Sequence, residues 1–278
     1  MSMRPQLVIP ADRLPPGFAE RVAHPPAEVA VPRPAATVVL VRDQPAAPEL
    51  LLLRRHRSAG FVPGAYVFPG GRVDPADADP ELVSLLAKPD AEPPPAYWLA
   101  GMRELFEETG VLLARDRAGA SCADATRDAR VAEWREALMS DGATLLDVLT
   151  ALRLRPDTSR MVYCAHWITP LAEPRRYDTR FFLAELPRAC EAAVDEREMT
   201  DSVWVTAAAA VAAFENGRLP MVFPTIRTIE QLSAYQTVDE MIVAFRASTV
   251  AAVLPRLVRT AEGVGIVVDE DEKGEMQG

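Results

Sequence analysis

Short apolar runs rich in Val and Leu predict the β-strands of this chain. Residues 35–43 and 48–56 are two such runs, and a polar, Pro-containing segment joins them. Their length and composition are typical of neighbouring strands. Residues 64–72, with the sequence GAYVFPGGR, predict a third strand that ends in a Gly-Gly turn. Later runs of the same kind predict strands at 161–170, 179–187 and 201–206.

Apolar positions three and four apart predict helices between and after these strands. Asp79 and Pro80 suit the N-cap and first residue of a short helix that ends before Pro89. The next helix covers about 96–109, and Gly110 follows it where a C-cap is expected. Further helical patterns cover 115–150, a segment that ends at Gly217, and a longer segment from Thr225 to about 247.

The order of these elements predicts the fold class and the segments of the chain. Strands interspersed irregularly with helices favour an α+β fold, in which helices cover a mixed sheet, over a doubly wound parallel sheet. Residues 1–34 are Pro-rich and predict an extended N-terminal arm. We expect the sheet and helices to fill 35–250, and the acidic segment 260–278 is typical of a disordered tail.

Composition excludes several classes of protein. The net charge is −10, and an acidic chain is a poor binder of nucleic acid, whose phosphates require a basic surface. No apolar run approaches the roughly eighteen residues of a membrane span, and the first residues lack the apolar core of a signal peptide. Cys122, Cys164 and Cys190 are too sparse for a disulfide framework. We therefore expect reduced thiols in a cytoplasmic protein.

One helix concentrates acidic residues on one face. Its sequence is GMRELFEETG, residues 101–110. Glu104, Glu107 and Glu108 lie three and four positions apart, so their side chains converge and repel one another. Three carboxylates are a natural site for a hard divalent cation, which would remove that repulsion. Arg103 precedes Glu107 by four positions and can pair with it. The alternative is a solvated glutamate face.

The surroundings of this helix resemble a known family. RELFEETGV, residues 103–111, and YVFPGG, residues 66–71, together resemble the Nudix box. That box is a Gly, five residues, a Glu, seven residues, Arg-Glu, an aliphatic residue, any residue, Glu-Glu, any residue, Gly and an aliphatic residue. Gly71 supplies the first Gly. The resemblance implies a Nudix α/β/α sandwich with a mixed sheet, followed by C-terminal helices.

The chain departs from the Nudix pattern at two points. Asp77 stands where the pattern has its first Glu, and 25 residues separate it from Arg103, where the pattern has seven. An insertion at about 78–96 therefore splits the box, in a loop where added residues leave the spacing of the glutamates unchanged. Such interrupted boxes resemble a branch of the family that includes coenzyme A diphosphatases.

The resemblance implies hydrolysis of a nucleoside diphosphate linked to another group, with Mg²⁺ or Mn²⁺ as cofactor. By position, the implied metal ligands are Glu104, Glu107, Glu108 and the Gly71 carbonyl. Glu107 and Glu108 are the principal ligands, whereas Glu104 is either a ligand or the general base. Arg103 orients the cluster, so the implied catalytic residues are Glu104, Arg103 and Glu107.

Several Arg residues are candidates for substrate binding, and a solvated strand end is the alternative for each. Residues 51–71 loosely resemble a coenzyme A signature, with Arg57 and Ser58 as its Arg-Ser pair but without the Arg expected before Gly64. The candidates are Arg54, Arg57 and Arg72 around the third strand, and Arg176 and Arg180 in the segment EPRRYDTRFF.

The resemblance favours coenzyme A or an acyl derivative as substrate, cleaved to 3′,5′-ADP and (acyl)phosphopantetheine. NADH, ADP-ribose or a nucleotide sugar is an alternative. A non-catalytic nucleotide-sensing module is another, although such modules usually lose a box glutamate and all three are present here. In each case the partner is a small nucleotide, and a homodimer is left open.

Five further acidic residues have two interpretations each. They could be additional metal ligands or catalytic acids, or they could cap turns and belong to charged loops. They are Asp74, Asp77, Glu196, Glu198 and Asp201. His56 and His166 are too far apart in sequence to indicate a site, and we interpret both as structural.

Overall fold

A computed structural model of the chain shows strands and helices in irregular alternation. It describes residues 5–24, 28–56, 63–87, 92–119, 123–124, 126–188, 190–194 and 199–268. The strands are β1 Leu7–Pro10, β2 Arg33–Arg42, β3 Glu49–Arg55, β4 Tyr66–Val67, β5 Gly70–Arg72, β6 Val111–Leu112, β7 Ala114–Arg115, β8 Ala123–Asp124, β9 Arg155–Pro156, β10 Met161–Ile168, β11 Tyr177–Glu185, β12 Met199–Thr206, β13 Ala252–Val253, β14 Arg256–Arg259 and β15 Gly263–Val267. The helices are α1 Phe18–Ala23, α2 Pro80–Ser84, α3 Pro95–Thr109, α4 Ala129–Met139, α5 Leu145–Leu152, α6 Ala207–Glu215, α7 Phe223–Leu232 and α8 Val238–Ala247, with 3₁₀ turns at Ala11–Arg13 and Pro75–Ala78.

The main sheet is mixed, as the sequence predicted. Its strands lie in the order β12-β3-β2-β11-β10-β13, with β4 beside β3 and β5 beside β2. β3 is antiparallel to both β2 and β12, whereas β13 is parallel to β10. With helices packed on this sheet, the predicted α+β class is confirmed.

The strand predicted at 64–72 is two short strands instead of one. β4 pairs with β3, whereas β5 pairs with β2, so that Gly71 lies opposite Ala36. Pro69 stands between them and has no N–H to donate, which interrupts a continuous ladder. Gly70 and Gly71 of the predicted Gly-Gly turn are therefore strand residues of β5, which lies on β2 and next to α3.

The chain divides into two compact units. The larger comprises 35–164 and 180–247, and the smaller comprises 1–34, 165–179 and 248–278. In the larger unit, α3 is buried on two sides. Its sheet side includes Leu105 and packs with Leu40, Leu51 and Phe182. Its outer side packs against α2, α4 and α5.

The insertion at about 78–96 contributes to this outer side. Asp79 caps α2, as predicted: its carboxylate accepts hydrogen bonds from the backbone N–H groups of Glu81 and Leu82, at 2.7 and 3.4 Å. Leu82 is 1% exposed and joins the buried cluster that contains Leu99 and Phe106. The described part of the insertion is therefore packed against the helix whose box it interrupts.

The prediction of one long helix from Thr225 to about 247 is wrong, because the chain forms two helices there. α7 ends at Leu232 and α8 begins at Val238. Glu240 accepts the backbone N–H of Gln236, and its own N–H donates to the Thr237 hydroxyl. Capping by the Thr237 and Glu240 side chains starts a new helix where the apolar period alone predicted a continuous one. The segment 115–150 likewise holds β7, β8 and the separate helices α4 and α5.

The described part of the expected N-terminal arm is folded. β1 pairs antiparallel with β15, which in turn pairs with β14. Pro10 is the last residue of β1 and the N-cap of a 3₁₀ turn, so proline here lies at the end of an element. Of the expected tail, β15 is buried throughout, while 269–278 lie outside the described residues. The boundaries 35–250 and 260–278 stay a prediction.

Two expectations from composition bear on the described residues. No helix among them is long and apolar enough to cross a membrane. Cys164 and Cys190 are buried and free of disulfides, whereas Cys122 lies outside the described residues.

Replacing Leu82 tests whether the insertion is part of the core. We expect Leu82→Ala to lower the free energy of unfolding by about 2–4 kcal/mol, because it leaves a cavity beside Leu99 and Phe106. Urea denaturation measures this change. The exposed Ser84→Ala in the same helix serves as the control and should leave the midpoint nearly unchanged. An equally small effect of both variants would show that the insertion only lies on the surface.

Candidate active site

Helix α3 positions the acidic residues against the Gly-Gly turn. The helix ends at Gly110, whose φ of 73° is left-handed and easily adopted only by glycine. Gly71 lies so close to α3 that a Cβ atom there would be 2.3 Å from the Glu104 Oε1 atom. A side chain at this position would displace the Glu104 carboxylate, so glycine leaves room for that carboxylate beside β5.

Arg103 is the centre of the cluster, and its side chain is almost fully buried. Its Nε and Nη2 atoms donate to the two carboxylate oxygens of Asp77, both at 3.0 Å. Its Nη1 atom donates to Glu104 at 3.0 Å and to both oxygens of Glu107 at 3.2 Å. Its Nη2 atom also donates to the Arg72 carbonyl at 2.8 Å. One guanidinium thus joins α3 to the segment that follows the Gly-Gly turn.

The hydrogen bonds of Asp77 favour a structural role over a role as a metal ligand. Both carboxylate oxygens face Arg103, and Oδ2 also accepts the backbone N–H of Asp74 at 2.8 Å. Asp77 therefore caps the 3₁₀ turn and anchors Arg103. Asp74 is half exposed and lies 3.6 Å from Arg103 Nη2.

Glu108 connects the helix to the turn directly. Its Oε2 atom accepts the backbone N–H of Gly70 at 3.0 Å, and the residue is only 6% exposed. Glu104 and Glu108 therefore lie beside Gly71 and Gly70, and Arg103 joins Glu107 to Glu104. All three side chains are largely buried, so the interpretation as a solvated glutamate face is wrong.

Burial makes the carboxylates hard to ionise. Burial raises the pKa of Glu104 to about 7, with Glu107 and Asp77 adding to the rise and Arg103 opposing it. Burial likewise raises the pKa values of Glu107 and Asp77 against the lowering effect of Arg103. The pKa of Arg103 is lowered by burial but raised overall by its bonds to Asp77 and the nearby glutamates. Once ionised, the carboxylates of Asp77, Glu104, Glu107 and Glu108 carry more negative charge than the one guanidinium of Arg103 neutralises.

The donor set fits a hard divalent cation by its chemistry. Glu104, Glu107 and Glu108 offer carboxylate oxygens, the ligands that Mg²⁺ and Mn²⁺ prefer, and a cation would offset the excess negative charge. In the part of the chain that is described, however, no three acidic, His or Cys side chains are grouped closely enough to hold an ion as they stand. Arg103 Nη1 instead donates hydrogen bonds to carboxylate oxygens of both Glu104 and Glu107. The described residues thus supply suitable donor oxygens without a preformed cage for an ion.

The candidate substrate-binding arginines lie in different environments. Arg72 is exposed and adjoins the cluster through its carbonyl. Arg54 lies over the Tyr66 ring, 5.8 Å from its centre, and Arg180 lies over the Tyr97 ring, 4.5 Å from its centre. Neither of these two is placed at the carboxylates by a described contact. Arg57 lies outside the described residues.

Arg176 has a structural position in the smaller unit. It is buried, and its Nε and Nη1 atoms donate to the carbonyls of Thr169 and Ala30 at 2.9 and 2.8 Å. These bonds hold the guanidinium on backbone carbonyls. Arg176 is therefore a weaker candidate for a phosphate ligand than the sequence indicated.

The remaining candidate acids and histidines do not join the cluster through any described contact. Asp201 accepts a hydrogen bond from the Tyr66 hydroxyl at 3.1 Å. His166 pairs with Asp178 at 2.5 Å, in agreement with a structural role. His56 is exposed. Glu196 and Glu198 lie outside the described residues.

Arg135 also contacts this helix, although no sequence pattern pointed to it. Its Nε and Nη2 atoms donate to the Glu107 carbonyl at 3.0 and 2.7 Å. The two residues are 28 positions apart, so neither spacing nor periodicity could relate them.

Comparison with known proteins decides the family. A family model described as the NUDT19 Nudix domain matches residues 93–232, about half of the chain. This chain belongs to the Nudix hydrolase family. A Nudix hydrolase structure from Alicyclobacillus acidocaldarius is 29% identical to this Nudix chain, with a TM-score of 0.68. The match covers 78% of this chain and 97% of that one.

Three curated relatives of this Nudix chain carry the name acyl-coenzyme A diphosphatase NUDT19. The protein from Gallus gallus is 28% identical over 69% of this chain and 63% of its own length. The protein from Xenopus laevis is 21% identical over 69% of this chain and 62% of its own length. The Homo sapiens protein is 26% identical over 80% of this chain and 71% of its own length. The chain thus spans less than two thirds of the first two relatives.

The raised pKa of Glu104 predicts how stability depends on pH in the metal-free protein. The folded state keeps a proton on Glu104 up to a pKa of about 7, whereas the unfolded carboxyl loses it near 4.5. Its stabilising contribution is therefore full below about pH 4.5 and is lost as the pH rises to about 7. The loss amounts to about 3 kcal/mol. Urea denaturation in EDTA across this range measures it.

Glu104→Gln is the matched variant for this titration. The neutral amide removes the Glu104 proton equilibrium, so the decline in unfolding free energy between pH 4.5 and 7 should become shallower. Residual slope is expected from Glu107 and Asp77, whose pKa values are raised in the same direction. Identical slopes for the variant and the wild-type protein would contradict the assignment to Glu104.

Proposed function

We propose that this chain is a metal-dependent Nudix pyrophosphohydrolase that cleaves coenzyme A or an acyl derivative to 3′,5′-ADP and (acyl)phosphopantetheine. The observation that carries the hydrolytic part is the buried set of carboxylates held by Arg103 at the Gly-Gly turn. The names of the curated relatives support the coenzyme A part.

The reaction adds water across a phosphoric anhydride bond. A water oxygen bonds to one phosphorus, the bond from that phosphorus to the bridging oxygen breaks, and the two water protons are shared between the new phosphate groups and the surrounding bases. Bound Mg²⁺ or Mn²⁺ would polarise the phosphate oxygens and offset the negative charge that develops on them. Catalysis then depends on how the protein positions the participating groups.

Each residue of the cluster has a distinct part in this proposal. Glu107 and Glu108 would be the principal metal ligands, with the Gly71 carbonyl as an additional one. Arg103 orients Glu104 and Glu107 through the hydrogen bonds described above. Glu104 is either a further ligand or the base that takes a proton from the attacking water.

A substrate panel tests the proposed function. The purified chain is incubated with Mg²⁺ or Mn²⁺ and coenzyme A, acetyl-coenzyme A, NADH, ADP-ribose or a nucleotide sugar, and products are identified by mass spectrometry. We expect 3′,5′-ADP and phosphopantetheine from coenzyme A. Glu107→Gln should lower kcat by at least about 100-fold, because changes outside the ligand shell alone often cost 10–100-fold.

The panel separates the alternatives. Glu133→Gln, an exposed glutamate on α4, is the matched control and should retain wild-type activity. Cleavage of NADH, ADP-ribose or a nucleotide sugar in place of coenzyme A would retain the hydrolytic mechanism and overturn the substrate. Nucleotide binding without turnover of any compound would support the nucleotide-sensing module.

Glu104→Gln distinguishes the two roles of Glu104. Loss of a ligand weakens Mn²⁺ binding, which electron paramagnetic resonance measures without substrate. Loss of a base leaves Mn²⁺ binding near the wild-type value but lowers kcat, with a loss on the order of 100-fold or more. Wild-type values of both quantities would exclude Glu104 from either role.

A further inference from the structure

Arg135 lies on the face of α4 that packs toward α3. Val131 and Leu138, four positions before and three after it, are buried in the cluster that contains Leu99 and Phe106 of α3. Positions four and seven apart share a helix face. The two apolar residues therefore fix α4 against α3 and direct Arg135 toward the same helix.

The guanidinium of Arg135 satisfies a carbonyl that the helix leaves open. Glu107 is two residues before the end of α3, and the chain turns away at Gly110 in a left-handed conformation. The carbonyl groups of the last helical turn receive no hydrogen bond from an N–H group of the same helix. Arg135 donates to the Glu107 carbonyl from Nε at 3.0 Å and from Nη2 at 2.7 Å. A cation at a helix C-terminus also interacts favourably with the helix dipole.

The same guanidinium reaches a second segment of the chain. Its Nη2 atom lies 3.4 Å from the Ala193 carbonyl, and the Ala193 backbone N–H donates to the Thr109 carbonyl at 2.8 Å. Arg135 thus joins α4, the last turn of α3 and the segment 190–194. The planar guanidinium can donate to both carbonyls from its separate N–H groups, whereas the single ammonium of lysine cannot reproduce the same geometry.

Glu107 is held at both ends by arginine. Arg103 donates to its carboxylate, and Arg135 donates to its carbonyl. The carboxylate of the next residue, Glu108, is directed at Gly70. Any rotation of the last turn of α3 would move both of these carboxylates relative to the Gly-Gly turn.

We propose that Arg135 is a positioning residue for the metal site: it fixes the last turn of α3 through the Glu107 carbonyl and thereby aims the Glu107 and Glu108 carboxylates. Arg135 lies outside the Nudix box and acts through the backbone, without touching the substrate. This inference rests on the proposed metal role of Glu107.

The test compares Arg135→Met and Arg135→Lys in the full chain. Arg130 on the same helix is exposed, and its Nη2 atom lies 3.5 Å from the Ala151 carbonyl, so Arg130→Met is the matched control. Four quantities are measured for each variant: the Mn²⁺ dissociation constant by electron paramagnetic resonance, kcat and KM for the substrate found in the panel, and the thermal unfolding midpoint.

We expect Arg135→Met to weaken Mn²⁺ binding about tenfold and to lower kcat about tenfold, with KM changed less than about twofold. Arg135→Lys keeps the charge but loses the paired donors, so its values should lie between those of Arg135→Met and wild type. Arg130→Met should match wild type. If Arg135→Met does not fold, the Lys variant carries the test.

Two results would overturn the inference. One is a lower unfolding midpoint with wild-type Mn²⁺ affinity and kcat, since that outcome is purely structural. The other is a rise in KM alone, which would indicate contact with substrate. Glu107→Gln distinguishes the two proposals: if it abolishes Mn²⁺ binding and Arg135→Met does not weaken it, only the positioning role fails. If Glu107→Gln also leaves Mn²⁺ binding intact, the metal role on which this inference rests fails.

Discussion

The acidic site depends on one buried guanidinium. Burying a charged side chain is costly unless it is fully paired, and Arg103 meets this condition through the two parallel bonds to Asp77 and further bonds to Glu104 and Glu107. Asp77 belongs to the 3₁₀ turn that follows the Gly-Gly turn, and Arg103 belongs to α3. Their ion pair therefore joins two segments that the insertion separates in sequence.

The same helix must satisfy two packing surfaces and an acidic face. Leu105 packs toward the sheet, while Leu99 and Phe106 pack toward α2, α4 and α5. The carboxylates occupy the remaining arc beside the Gly-Gly turn. Because apolar contacts on both sides hold α3 in place, the repulsion among its glutamates does not displace the helix. The stability of the core thus maintains an arrangement that the electrostatics of the site alone would disfavour.

The convergence of the acidic residues could be predicted from the sequence because it is local. The glutamates and Arg103 lie within six positions of one helix, so helical periodicity alone brings them together. Two other features could not be predicted, one because it depends on a long-range contact and the other because the apolar period conceals it. Asp77 is 26 positions from Arg103. Whether Asp77 binds a metal or anchors Arg103 depends on the direction of its carboxylate oxygens, which spacing along the chain does not reveal. The division between α7 and α8 depends on capping by Thr237 and Glu240, which the continuous apolar period conceals.

The candidate arginines show why substrate is harder to predict than reaction type. Arg176 and Arg180 lie four positions apart in one basic segment, yet Arg176 is bound to backbone carbonyls and Arg180 lies over an aromatic ring. Both environments are common for arginine, and residue type does not choose between them. A metal site requires several oxygen ligands close together, and residues three and four apart on one helix meet this requirement by their spacing. Substrate recognition requires the right orientation of single side chains on strands and loops, which only the folded chain determines.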